Sequence, residues 1–262
     1  MARDKVYFGT NTKMYKTIAQ TVEFLTELDR LTADLSREWM ELFVIPSFTA
    51  LESARRCVPS ERITLGAQNM GWEDEGQFTG EISPLMLREV GTRIVEIGHS
   101  ERRHVLGETD EMENRKVRCA LRHGFTPLLC IGETGEQKRQ NLSDEVLRTQ
   151  LKAGLCGVTP EEAASLWVAY EPVWAIGVSG VPASPAYAEE KHQVIRRCLE
   201  ELFGETGGQI PLLYGGSVNL ENAPGLIGLP HVDGLFIGRS AWNAANFNCI
   251  IRTCLEVWRA KQ

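Results

Sequence analysis

Eight short, unbroken apolar runs separated by segments of helical character constrain this chain more than any other feature. They are Val6-Tyr7-Phe8-Gly9, Leu42-Phe43-Val44-Ile45, Ile63-Thr64-Leu65-Gly66-Ala67, Ile94-Val95-Glu96-Ile97, Leu128-Leu129-Cys130-Ile131, Leu166 to Tyr170, Leu212-Leu213-Tyr214 and Leu235-Phe236-Ile237. The runs are continuous rather than alternating, the pattern of strands covered on both faces. Between them, Ser184-Pro185 offers an N-cap with proline at the first helical position. Val194, Ile195, Cys198, Leu199 and Leu202 then share one helical face, and Gly204 stands where a C-cap glycine belongs. The segment from Ile18 toward Leu31 carries a similar stripe of Thr21, Phe24, Leu25 and Leu28.

Strand and helix alternating eight times predict a parallel α/β sheet with right-handed crossovers, closed into a (β/α)8 barrel. The competing reading is an open doubly wound sheet, weakened because no GxGxxG follows the first strand. With no linker, low-complexity tract or break in composition, residues 1–262 read as one barrel domain.

Composition removes several classes of function. The formal charge is −7 with acids and bases interspersed, so no basic arm points to nucleic acid. An anion bound here needs local positive potential from a lysine or from backbone N–H groups. The seven cysteines are scattered without a CxxC, so neither a zinc ribbon nor a disulfide framework is expected. The N-terminus runs straight into a strand pattern and no apolar run approaches membrane-spanning length. The expected location is cytoplasmic, with no membrane partner.

In a barrel of this kind the chemistry gathers where the strands end. After the first run come Asn11 and Lys13, and after the third Gln68 and Asn69. The fourth gives His99, Ser100 and Glu101, and the fifth Cys130, Gly132 and Glu133. Glu171 follows the sixth; Gly215, Gly216 and Ser217 the seventh; Gly238, Arg239 and Ser240 the eighth. Taken singly these are ordinary residues: a strand-end lysine, a helix-start acid at Glu133, a tight turn at Gly215-Gly216. His104, His123, His192 and His231 read as packed or surface residues.

Together, one cation, one imidazole, one carboxylate and two glycine-rich turns at one pole suit proton transfer beside a phosphorylated carbonyl compound. The turns bare N–H groups that can cradle a phosphate, and Lys13 supplies positive charge. Glu171 is the candidate base, and His99, Asn11 and Lys13 can donate to the oxygen that becomes negative. No serine, cysteine or lysine nucleophile has a paired base, and no His/Asp/Glu cluster has metal spacing. Chemistry without cofactor or metal is expected.

The stretches Asn11-Thr12-Lys13-Met14, Gly66-Ala67-Gln68-Asn69, Phe78-Thr79-Gly80-Glu81, Gly98-His99-Ser100-Glu101-Arg102-Arg103, Cys130-Ile131-Gly132-Glu133, Tyr170 to Gly177 and Tyr214 to Asn219 resemble the triosephosphate isomerase family, in order and over nearly the full length. The resemblance implies that Glu171 shuttles the proton, His99 is the neutral electrophile, and Lys13 and Asn11 stabilise negative charge. It implies a closing lid over residues 172–182, whose Gly177 N–H meets the phosphate together with Ser217, Gly216, Gly238 and Arg239. Ser100, Glu101, Cys130 and Tyr214 are expected to support the site, and residues 69–81 to insert into the neighbouring subunit of a homodimer.

Two stretches depart from the family pattern: the lid continues Val178 to Ser184, and Gly238 is followed by Arg239 rather than glycine. With Gly80 to Leu87 and Asp233 to Asn243 they resemble a branch that includes erythrulose-phosphate isomerases. The leading expectation is interconversion of glyceraldehyde 3-phosphate and dihydroxyacetone phosphate through an enediolate, placed in glycolysis and gluconeogenesis. The alternatives are isomerisation of a four-carbon ketose phosphate (L-erythrulose 1-phosphate to D-erythrulose 4-phosphate) and a non-catalytic phosphate-binding barrel.

Overall fold

All eight strands read from the sequence form, and each pairs in parallel with its chain neighbour. The computed structural model describes residues 5–177 and 180–261. The strands are β1 (Val6–Asn11), β2 (Met40–Ile45), β3 (Thr64–Ala67), β4 (Ile94–Ile97), β5 (Thr126–Ile131), β6 (Trp167–Tyr170), β7 (Leu212–Tyr214) and β8 (Gly234–Phe236). The deciding contact is between first and last, where Tyr7 pairs with Gly234, Phe8 with Leu235 and Gly9 with Phe236. That pairing closes the barrel and excludes the open sheet.

Side-chain parity divides the core in two. Phe43, Ile45, Ile94, Leu128, Cys130, Ala169, Leu213 and Phe236 fill the barrel interior. The residues between them, such as Val44, Val95, Leu129 and Val168, face the surrounding helices in a much larger outer layer. Burial on both faces is why the runs are continuous in sequence.

The two helices read from the sequence start where capping chemistry says they should. Ser184 caps the helix Pro185–Phe203 by accepting the Tyr187 N–H, and Gly204 ends it at φ 60°. The helix Ile18–Leu31 begins in a capping box between Thr17 and Gln20 and buries Thr21, Phe24, Leu25 and Leu28. All seven cysteines are free thiols, with Cys119, Cys130, Cys198 and Cys254 buried. Among the described residues, no helix is long and apolar enough to cross a membrane.

Candidate active site

The C-terminal mouth of the barrel opens into a cavity of about 470 Å³. Asn11, Lys13, His99, Glu171, Gly177, Gly216, Ser217, Gly238 and Arg239 all line it, so the strand-end set converges on one space. Ser100, Glu101, Cys130 and Tyr214 do not line it.

The end of β1 is braced from three sides. Lys13 sits at φ 52°, a left-handed conformation that costs a residue with a Cβ. The Asn11 side chain holds it there, its Oδ1 accepting the Lys13 N–H at 2.6 Å. Gln68 on the loop after β3 donates to Asn11 Oδ1 at 3.0 Å and to the Lys13 carbonyl at 2.8 Å. Trp242 donates its indole N–H to the Asn11 carbonyl at 2.9 Å. Lys13 Nζ is aimed by Glu101, 2.8 Å away. Partial burial works against the Glu101 charge, but the hydrogen bond from Lys13 and the positive charge beside it hold that carboxyl below its usual range.

His99 is the N-cap of the short helix Ser100–His104, and its Nδ1 accepts the Glu101 N–H at 3.1 Å. That hydrogen bond assigns the tautomer: Nδ1 carries the lone pair, so the hydrogen of the neutral ring is on Nε2. Nε2 lies 3.8 Å from Glu171 Oε1 and so points into the cavity.

Glu171 follows directly on β6 and is 3% exposed. The chain packs against it where only glycine fits: a Cβ at 132 would lie 2.0 Å from the Glu171 carbonyl oxygen, and one at 215 would lie 2.8 Å from its Cγ. Glu171 Oε2 has no hydrogen-bond partner among the described residues. A buried carboxylate that lines a cavity is suited to take a proton from carbon.

The segment expected to act as a lid begins at Pro172. Val173–Ala175 forms a 3-10 turn, the Ala175 carbonyl accepts the Ser217 N–H at 3.0 Å, and Gly177 lies at φ 86°. Val178 and Ser179, part of the lid departure read from the sequence, lie outside the described residues. Arg239 opens a 3-10 turn after β8 and forms no ion pair with a described residue.

Sequence reasoning missed two acids. Glu133 is not a helix-start acid: Thr134 caps that helix, while Glu133 is fully buried behind the lid. There it accepts hydrogen bonds from Tyr170, Trp174 (2.8 Å) and Tyr187 (2.8 Å), tying the lid's first turn to β6 and to the helix Pro185–Phe203. Its signal was an acid beside a lid rich in aromatic donors. The second is Glu96, a lone acid in an otherwise apolar strand, whose Oε2 accepts from Asn11 Nδ2 at 2.5 Å. Of the supporting residues, Tyr214 faces outward next to Tyr170 and His192, because its neighbour Leu213 takes the inward position.

Against known proteins, the triosephosphate isomerase family model matches residues 6–254. The chain belongs to the triosephosphate isomerase family. As a member it is a sugar-phosphate isomerase, acting on a phosphorylated sugar in carbohydrate metabolism. A crystal structure of triosephosphate isomerase from Bartonella henselae superposes with a TM-score of 0.85 at 36% identity, covering 95% of this chain and 98% of that one.

Two relatives are more similar in sequence. The L-erythrulose-1-phosphate isomerase of Rhizobium etli is 49% identical over 244 residues, 92% of this chain and 90% of its own. That of Rhizobium rhizogenes is 44% identical over 255 residues, 97% of this chain and 96% of its own. These relatives overturn the leading expectation of interconverting glyceraldehyde 3-phosphate and dihydroxyacetone phosphate. Strand ends report the chemistry alone; the stretches Gly80 to Leu87 and Asp233 to Asn243, which resemble the erythrulose-phosphate branch, carried the better substrate signal.

Proposed function

We propose that the chain isomerises L-erythrulose 1-phosphate to D-erythrulose 4-phosphate, and that residues 1–262 act as one catalytic barrel. The observation that carries the chemistry is the facing pair: the Glu171 carboxylate, with one oxygen free, 3.8 Å from the His99 Nε2 that holds the ring hydrogen. The relatives' names supply the substrate.

In this reading the substrate phosphate is held by backbone N–H groups of Gly216, Ser217, Gly238 and Gly177, with Arg239 adding charge. The carbonyl then lies under His99 Nε2–H, Asn11 and Lys13. Glu171 removes the proton from the carbon on the far side of the carbonyl from the phosphate, giving an enediolate. His99, Asn11 and Lys13 stabilise the negative oxygen; the hydroxyl proton of the neighbouring carbon passes to that oxygen by way of His99 Nε2, and Glu171 returns its proton to the former carbonyl carbon. The carbonyl has moved one position along the chain with no change in oxidation level of the whole molecule. The lid excludes water while the enediolate exists, which protects it from loss of phosphate by elimination.

The protein is further proposed to act as a homodimer. Support comes from residues 69–81, closed at their base by the Gly71 N–H to Ile82 carbonyl bond at 2.8 Å. Phe78 on this loop is 45% exposed, and Met14 beside Lys13 is 95% exposed, apolar area that a second subunit can cover. A cytoplasmic location goes with this reading.

Incubation of L-erythrulose 1-phosphate with the enzyme in deuterated water tests the proposal. The expected product is D-erythrulose 4-phosphate with deuterium at the carbon that was the carbonyl. Absence of both product and exchange removes the assignment.

A further inference from the structure

Parity on β4 turns Val95 and Ile97 out toward the helices and Ile94 and Glu96 into the barrel. Glu96 is fully buried. Its Oε2 accepts from Asn11 Nδ2 at 2.5 Å, and Cys130 Sγ lies 3.9 Å from its Oε1. Oxygens of Glu96 and Glu171 and the Cys130 sulfur all fall within 4.8 Å of one another. Among the described residues no cation pairs with Glu96, since Lys13 Nζ is held by Glu101.

The groups that act on Glu96 come from every side. Asn11 and Lys13 belong to β1 and its loop, Cys130 to β5, Glu171 to the end of β6, and Glu101 to the helix Ser100–His104 after β4. The other strands present Phe43, Ile45, Leu213 and Phe236, which do not titrate. An ionised carboxylate buried without a cation, next to a second carboxylate, is strongly disfavoured.

We propose that Glu96 is a positioning residue, kept as a neutral carboxylic acid, which fixes the Asn11 amide at the reacting oxygen. Burial, and after it the negative charge of Glu171, push the Glu96 carboxyl well above the usual range, in agreement with the geometry. The Asn11 amide then has few choices. Its Oδ1 is taken by Lys13 N–H and Gln68, one N–H by Glu96, and the second N–H is left for the cavity. Ionisation of Glu96 sets a second negative charge under the site, opposing the enediolate. The wild-type enzyme therefore loses activity on the alkaline side as Glu96 ionises.

This inference rests on the isomerase reading, so the test has one arm with turnover and one without. In the first, kcat and KM for L-erythrulose 1-phosphate are followed against pH in wild type, Glu96→Gln and Glu96→Leu. Leucine removes the acceptor for Asn11 and should lower kcat on the order of 10- to 10²-fold with a smaller change in KM. Glutamine restores most of that loss, and its profile lacks the alkaline limb of the wild type. In the second, infrared spectra of the free protein at neutral pH should show a protonated-carboxyl band that Glu96→Gln removes. If the leucine variant does not fold, the glutamine profile and the infrared band decide alone. An alkaline limb that persists in Glu96→Gln, a glutamine variant as impaired as leucine, or a protonated-carboxyl absorption unchanged between wild type and Glu96→Gln overturns the proposal. Failure of the wild type to turn over any ketose phosphate instead sinks the isomerase reading, while the infrared arm still reports the state of Glu96.

Discussion

The two ends of the cavity are built differently. At the base end, Asn11, Lys13, His99 and Glu171 are side chains on strand ends, each oriented by a named partner or by glycine backbone pressed against it. At the phosphate end, the turns after β7 and β8 and the lid offer mainly backbone, with Arg239 exposed and unpaired among the described residues. The substrates show why this matters. Dihydroxyacetone phosphate and L-erythrulose 1-phosphate share the phosphate, the next carbon and the carbonyl. They differ by a hydroxymethyl group on the carbon that gives up the proton. In the proposed binding mode the extra group therefore falls at the base end, and the phosphate end serves both lengths alike. Arg239, which stood out in the sequence, is at the end that does not meet the difference.

The comparison breaks most visibly at Glu171. Glu171→Gln should reduce kcat by roughly 10²- to 10⁴-fold on either substrate, while an intermediate analogue bearing a phosphate still binds. Near-normal turnover in a folded variant removes Glu171 from the base role.

The next effect tests whether the base end needs a second subunit. Phe78→Glu should give a monomer by sedimentation, with activity lower on the order of 10²-fold, because a small misplacement around Asn11 and Lys13 is costly. A fully active monomer contradicts this.

Arg239→Gly probes the phosphate end. Losing a charged contact to phosphate should raise KM about tenfold on both substrates. The ratio of the two kcat/KM values should stay within about twofold, less than one methylene-sized group can give. A larger shift of that ratio toward dihydroxyacetone phosphate places length discrimination at Arg239 after all.

His192 lies outside both ends, on the helix Pro185–Phe203, packed against Tyr170 of β6 and Tyr214 of β7, with Nδ1 3.0 Å from the His231 carbonyl. Burial lowers its pKa to about 4, whereas the ring in the unfolded chain titrates at its ordinary value of 6.5. Below pH 6.5 the unfolded chain takes up a proton that the folded chain refuses, so stability falls as pH drops from 6.5 to about 4. The loss approaches about 3 kcal/mol at one pKa unit per ~1.4 kcal/mol. His192→Gln should flatten that component in urea titrations while leaving kcat little changed. An unaltered pH slope assigns the acid sensitivity elsewhere.

The barrel was legible because strands buried on both faces leave continuous apolar runs, and Ser184, Pro185 and Gly204 mark a helix by local chemistry alone. Strand ends were less so. β5 begins at Thr126-Pro127 rather than Leu128, since proline is acceptable at the start of a strand but does not advertise one. The converging set at the mouth was readable because each member directly follows its run. Glu96 and Glu133 were not, since their meaning comes from parity and closure. An acid within β4 reads as a misplaced surface residue until β1 is brought across to set Asn11 against it. Glu133 needs Tyr187, 54 positions away in the chain, to show that it braces the lid.

The central claim is that this site isomerises a four-carbon ketose phosphate whose extra group is met at the base end. Steady-state kcat/KM measured side by side on L-erythrulose 1-phosphate and dihydroxyacetone phosphate tests it most directly. The account predicts a preference for the four-carbon substrate of roughly 10- to 200-fold, the range one added group can supply. Equal or greater kcat/KM on dihydroxyacetone phosphate contradicts it.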